Sequence, residues 1–381
     1  MAIVKSEHFR VGNGDMVLLT FESGRRVLID INIRTPADDI VDVLKQLRSR
    51  LDRDEKGRLY VDAFLSTHPD QDHIRGLREH FHLGPPADWS KSTDKIFIRE
   101  MWSSPIVFRR AHKKNHVLCK DADAWCAEAR RRVRVFEAGG AVVDGDRIKI
   151  LGEDVGGKTD KLGAILVKTN DVFSTICGSH DYSFEARLIA PLLCTDEEEE
   201  EIVSKNNSSV IMRIDMKVRA TTQGRFLFGG DADVGVWERI WNRNKTNREC
   251  LEYDLLVSPH HCSWHSLSWD SWSELGEKAK VSADARSALG QARSGAMIVA
   301  SSKPISDDDS DPPCIRAKRE YVSILKPQSG EFICVEERPG EDPLVVEVTT
   351  AGPKLKRAAF VGTVATGTGI GSQPFAHGKS R

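Results

Sequence analysis

Three times in this chain an apolar, β-forming run ends abruptly in a block of metal-ligand side chains. Leu59 to Ser66 leads into Thr67-His68-Pro69-Asp70-Gln71-Asp72-His73. Arg225 to Phe228 leads into Gly229-Gly230-Asp231, and Asp254 to Val257 leads into Ser258-Pro259-His260-His261. In open α/β sheets, ligands gather beyond the carboxyl ends of the strands. The pattern therefore predicts a layered α/β fold in which the three blocks meet at one end. Taken singly, each block has a plainer reading: a polar turn with helix-capping aspartates, or a strand–Gly–Asp turn. Recurrence of one chemical vocabulary at one structural position is what favours a site.

In an extended segment alternate residues face the same way, so His68, Asp70 and Asp72 can address one point. A turn after Asp72 lets His73 join them. Imidazoles and carboxylates this close together suit one or two divalent cations. The glycines before Asp231 permit close backbone approach, and its carboxylate can bridge two ions. Either member of the His260-His261 pair can ligate, with Ser263 and His265 just behind.

The remainder reads as strands and helices in alternation. A hairpin is expected within the first 31 residues, and Ile40, Val43, Leu44 and Leu47 predict a helix over 36–51. The segment 109–134 reads as a basic helix with nine Lys/Arg against three acids. Overall, 55 basic residues oppose 57 acidic ones, so any basic surface must be local. On this reading Arg109, Lys113 and Arg131 suit a phosphate backbone, and Trp102 and Trp125 could stack on bases. His180 reads as part of a surface loop. No apolar run approaches the ~18 residues of a membrane span, and the first residues lack the apolar core of a signal peptide, which predicts a cytoplasmic protein. None of the eight cysteines form a C-x-x-C pair, so reduced, mostly buried thiols are expected. One domain is expected over 1–350, with 84–135 as a basic helical insertion and 351–381 as a Gly/Thr/Ser-rich basic tail.

Val11-Gly12-Asn13-Gly14-Asp15, Leu28-Ile29-Asp30, Ser66-Thr67-His68-Pro69-Asp70-Gln71-Asp72-His73 and Asn206-Asn207-Ser208 occur in order with Phe228-Gly229-Gly230-Asp231 and His260-His261-Cys262-Ser263. Together they resemble the metallo-β-lactamase superfamily, and more narrowly the soluble hydrolase domain of the ComEC competence proteins. The resemblance implies a four-layer αββα sandwich and a metal-dependent hydrolase, with phosphodiester cleavage of DNA or another nucleic acid through a metal-activated hydroxide. A hydrolase of small esters, thioesters or lactams, or a non-catalytic binding protein with the same fold, are the alternatives. It implies one or two Mn or Zn ions held by His68, Asp70, Asp72, His73, Asp231 and His261. Asp72 and His260 take catalytic roles, and Asn207, Ser263 and His265 lie near the substrate. Two departures stand out. Asn206 and Asn207 occupy the place of the superfamily's usual third-motif histidine, and Cys262 replaces the usual glycine after the histidine pair.

Overall fold

A computed structural model describes residues 2–108, 118–139, 142–153, 157–192 and 209–356. The chain is mixed α/β. Its first strands are β1 (Lys5–His8), β2 (Val17–Thr20), β3 (Arg26–Ile29), β4 (Ile31–Asn32), β5 (Tyr60–Ser66), β6 (Phe97–Ser103), β7 (Arg147–Leu151), β8 (Leu166–Val167) and β9 (Val172–Phe173). A small ribbon of β10 (Thr175–Ile176) and β11 (Ser179–His180) follows. Then come β12 (Phe184–Ala190), β13 (Ile211–Val218), β14 (Thr221–Phe228), β15 (Tyr253–Val257), β16 (Ala292–Ala300), β17 (Glu331–Cys334), β18 (Leu344–Thr349) and β19 (Gly352–Leu355).

Two large sheets result. The first has the order β19-β18-β1-β2-β3-β5-β6-β7-β8, and the second β17-β16-β15-β14-β13-β12-β9. Each is antiparallel in one part and parallel in the other. The parallel parts run from β3 through β8 and from β14 through β17. The strands that carry the three blocks, β5, β14 and β15, all lie in these parallel parts.

Side-chain alternation shows why both sheets are buried on two faces. Val17, Leu19, Val27, Ile29, Ala63 and Leu65 of the first sheet share one cluster with Phe226, Phe228, Leu255, Val257, Met297 and Val299 of the second. The intervening residues face the other way. Leu18, Leu28 and Phe64 meet the helices α1 (Val43–Arg48), α2 (Gln71–Ile74), α3 (Leu77–His80) and α4 (Lys120–Glu137). Leu227, Leu256 and Ile298 meet α5 (Val234–Asn244), α7 (Ala283–Leu289) and α8 (Ile315–Leu325). The one-turn helix α6 (Trp272–Leu275) lies between α5 and α7 in the chain. Among the described residues, no helix is long and apolar enough to cross a membrane.

Several local expectations change. The helix expected over 36–51 shrinks to Val43–Arg48, because Asp42 takes the cap and accepts from the Lys45 N–H at 2.9 Å. Of the expected basic helix, residues 109–117 lie outside the described residues; α4 begins at Lys120, where the Cys119 thiol caps Ala122 and Asp121 and Asp123 fill the first turn. Within the segment 84–135, β6 belongs to the first sheet, where it pairs with both β5 and β7. The first residues of the expected tail are a strand, Gly352–Leu355, that pairs with β18, and 357–381 lie outside the described residues. Of seven described cysteines, all free, five are buried.

Candidate metal centre

At the end of β5 the chain turns rather than staying extended. The Asp70 N–H donates to the His68 carbonyl at 3.0 Å, and α2 begins one residue later. Alternation therefore fails at this point. Asp70 caps α2 instead, its carboxylate accepting from the Gln71 N–H at 2.9 Å, and it does not join the ligand group. The same turn carries His73 into the interior, fully buried. The loop before β2 lies against it, with the Asp15 N–H donating to the Asp72 carbonyl at 3.3 Å. Gly14 permits this approach: a Cβ there would lie 2.3 Å from Asn32 Nδ2 and 2.8 Å from the Asp72 carbonyl.

From the second sheet come Asp231, after β14, and His261, after β15. His260, His261 and Cys262 all have left-handed backbones, with φ of 50°, 54° and 69°. That conformation costs roughly 1–2 kcal/mol per non-glycine residue. The turn is held by three backbone bonds: His260 N–H to the Gly230 carbonyl at 3.0 Å, Cys262 N–H to Pro259 at 3.2 Å, and Ser263 N–H to His260 at 2.9 Å. The first of these ties the histidine pair to the Gly-Asp block.

Asp15, His73, Asp231 and His261, all buried, each place one ligand atom within 4.8 Å of the others'. His73 Nε2 is 2.9 Å from Asp231 Oδ1 and 3.3 Å from His261 Nε2. His261 Nε2 is 3.5 Å from Asp231 Oδ1 and 3.3 Å from Asp72 Oδ2, and its Nδ1 is 3.8 Å from Asp15 Oδ1. His68 addresses the other carboxylate oxygen, with Nε2 3.5 Å from Asp231 Oδ2. His260, at the rim, lies 3.9 Å from that same oxygen.

Hydrogen bonds behind the cluster fix which nitrogens face inward. Asp30, at φ 51°, accepts from the Thr67 N–H at 2.7 Å, the Thr67 hydroxyl at 2.6 Å and His73 Nδ1 at 2.9 Å. A histidine whose outer N–H is held by a carboxylate presents its other nitrogen to a metal. The Thr67 hydroxyl has given its only proton to Asp30, so it accepts from His68 Nδ1 at 3.2 Å. His68 Nε2 is then a lone pair facing a carboxylate. It is buried without a hydrogen-bond partner, as are Asp15 Oδ1, Asp231 Oδ1 and His261 Nδ1. Converging buried acceptors with nothing to accept are what a cation site requires.

Without a cation, protons fill this role. Burial alone lowers a histidine pKa, yet Asp231 and Asp30 hold His73 well above its ordinary value. Asp231, Asp72 and Asp15 likewise raise His261 against burial. Burial pushes Asp231 up, but His73, His261 and His68 hold it well below the usual carboxylate range. Asp72 is lowered against burial by His261 and His73. Asp15 goes the other way: burial raises it to about 6, with His261 and His73 opposing. A donor set of two imidazoles and two carboxylates fits a divalent transition metal such as Zn²⁺ or Mn²⁺.

No protein-family model matches the chain, and no curated protein matches it either.

The structure brings His73, Asp231 and His261 together, sets His68, Asp72 and His260 around them, and leaves Asp70 on its helix cap. Ser263 is buried and its hydroxyl accepts from the His265 N–H at 3.1 Å. The His265 ring is turned toward Asp311 at 3.8 Å. Arg131 is not a free phosphate ligand: its guanidinium bonds to Glu128 at 2.7 Å and Asp146 at 2.6 Å. Trp102 packs between the sheets, edge-on to Phe173, and Trp125 is buried against Phe64, so neither can stack on a base. His180 is exposed, as expected of it, but lies in β11 rather than in a loop. Arg109, Lys113 and Asn207 lie outside the described residues. Sequence reasoning gave no role to Asp15 or Asp30. Their signals were a Gly-x-Gly-Asp turn before one strand and an aspartate closing the next.

Proposed function

We propose that this chain is a metal-dependent hydrolase that cleaves phosphodiesters, and that its two facing sheets with outer helices form the αββα sandwich of the metallo-β-lactamase fold. The observation that carries the proposal is the set of buried acceptors around Asp231, oriented by Asp30 and Thr67 from behind. Asp15, His73, Asp231 and His261 would hold one ion, and His68 with the second oxygen of Asp231 offers a place for another. Bound there, a divalent ion supplies Lewis acidity and brings the pKa of water toward neutrality. Asp72, whose side chain is one-third exposed, stands at the solvent edge and can accept a proton from an attacking water. His260, also at the rim, can steady charge on the leaving group. The motif order shared with ComEC-type hydrolase domains supports a phosphodiester substrate.

The test is elemental mass spectrometry on the purified protein beside His73→Ala/His261→Ala, followed by hydrolysis of bis(p-nitrophenyl) phosphate and single-stranded DNA with added Mn²⁺. The proposal expects stoichiometric metal and hydrolysis, both lost in the variant. Absence of metal after incubation with Mn²⁺ and Zn²⁺ would refute it.

A further inference from the structure

The acidic character of the site poses a problem for an anionic substrate. Asp15, Asp30, Asp72 and Asp231 crowd one pocket. With neutral imidazoles, one divalent ion leaves that pocket negative, and two only neutralise it. A phosphodiester approaching such a pocket needs cationic groups at its mouth.

Two arginines on the segments that flank the site have no side-chain hydrogen bond or ion pair among the described residues. Arg34 makes no hydrogen bond or ion pair among the described residues, and it is only half-buried. Its guanidinium lies against the bare Cα of Gly12, in the loop that carries Asp15. A Cβ on Gly12 would come within 3.1 Å of Arg34 Nη2 and 3.3 Å of its Cζ. Gly12 also has φ +75°, so the position excludes a side chain for two reasons. Arg75 lies three residues beyond Asp72. It pairs in a parallel bridge with Asn32, so their side chains share a face. Asn32 marks that face as the loop side, because its amide donates to the Val11 and Asn13 carbonyls at 3.0 and 3.3 Å. Arg75 Nε is buried with no hydrogen-bond partner. The other nearby arginine, Arg10, is already engaged by the Arg338 and Glu336 carbonyls.

We propose that Arg34 and Arg75 form a phosphate clamp beside the acidic pocket, gripping the non-bridging oxygens of a nucleotide phosphate next to the scissile bond. This inference rests on the phosphodiesterase reading and names the group that selects its substrate. The planar guanidinium is the side chain suited to such paired contacts.

The test is calorimetric titration of thymidine 5′-phosphate, with thymidine as control, into the metal-loaded protein at low salt. Binding is expected for the phosphate and not for the nucleoside. Arg34→Gln and Arg75→Gln should each weaken it about tenfold, the usual scale for a charge-assisted pair. Arg34→Lys, which keeps the charge without the fork, should fall between. Metal content and circular dichroism of each variant verify the fold. Equal binding by wild type and the double glutamine variant would overturn the clamp, and so would no phosphate binding by the wild type. Arginine-dependent binding without diester hydrolysis would sustain the clamp and defeat the enzyme reading. Hydrolysis with an unchanged KM in the variants would do the reverse.

Discussion

Asp30→Asn is the most informative single substitution, because it alters one atom and leaves the shape intact. Asparagine tolerates the left-handed backbone at φ 51°. Its amide oxygen can still accept from the Thr67 N–H, now 2.7 Å from the carboxylate. The other oxygen becomes an NH₂ group facing the Thr67 hydroxyl at 2.6 Å and His73 Nδ1 at 2.9 Å. His73 Nδ1 must then accept rather than donate. Its proton moves to Nε2, the nitrogen that faces Asp231 and His261. A protonated nitrogen cannot ligate. Loss of such a supporting bond typically lowers metal affinity by about 10–100-fold, equivalent to about 1.4–2.7 kcal/mol. Competition for Zn²⁺ against a chromophoric chelator measures the affinity, and ¹⁵N chemical shifts of His73 report the tautomer. A folded Asp30→Asn protein that binds Zn²⁺ within about twofold of wild type would refute the reasoning, because the tautomer shift could then not be controlling the site.

Three further predictions follow from the packing. Cys262 has φ 69° and a buried side chain, so Cys262→Gly should be more stable than Cys262→Ala by about 1 kcal/mol in urea unfolding; equal midpoints would show that the turn is unstrained. His8 lies buried in β1 with a pKa lowered by burial to about 3 from 6.5. Its folded pKa is depressed, so its contribution is complete above 6.5 and is lost as pH falls from 6.5 toward 3. Wild type should therefore lose about 2 kcal/mol more than His8→Met between about pH 7.5 and pH 5, and parallel pH curves would contradict this. Trp125→Ala should cost about 3–5 kcal/mol of stability in urea unfolding, whereas a loss below about 1 kcal/mol would mean that the ring does not anchor α4.

The three strand-end blocks were legible because the signal is local: an apolar run, then ligands. The layering was legible for the same reason, since Phe226-Leu227-Phe228 and Leu255-Leu256-Val257 are apolar at every position and require cover on two faces. Asp15 and Asp30 were not assignable, because a lone aspartate beside a strand looks like any turn or cap. Their roles depend on β3 lying between β2 and β5, and sheet order is a non-local property. Asp70 was misread because alternation was extended past Ser66, the end of the strand, into a segment that the Asp70–His68 backbone bond turns. The basic helix misled in another way. Charge counts do not reveal that Arg131 and Arg132 share Glu128, which spends that charge inside the fold.

Asp15 and His73 belong to connections between strands of the first sheet, whereas Asp231 and His261 follow strands of the second. An ion held by all four would join the two halves of the molecule across their apolar seam. Its escape would then be tied to the parting of the sheets, a rare and cooperative opening. Stripping by a strong chelator should become independent of chelator concentration and proceed at the rate of that opening. The timescale of metal loss would thus be a clock for the breathing of the whole fold.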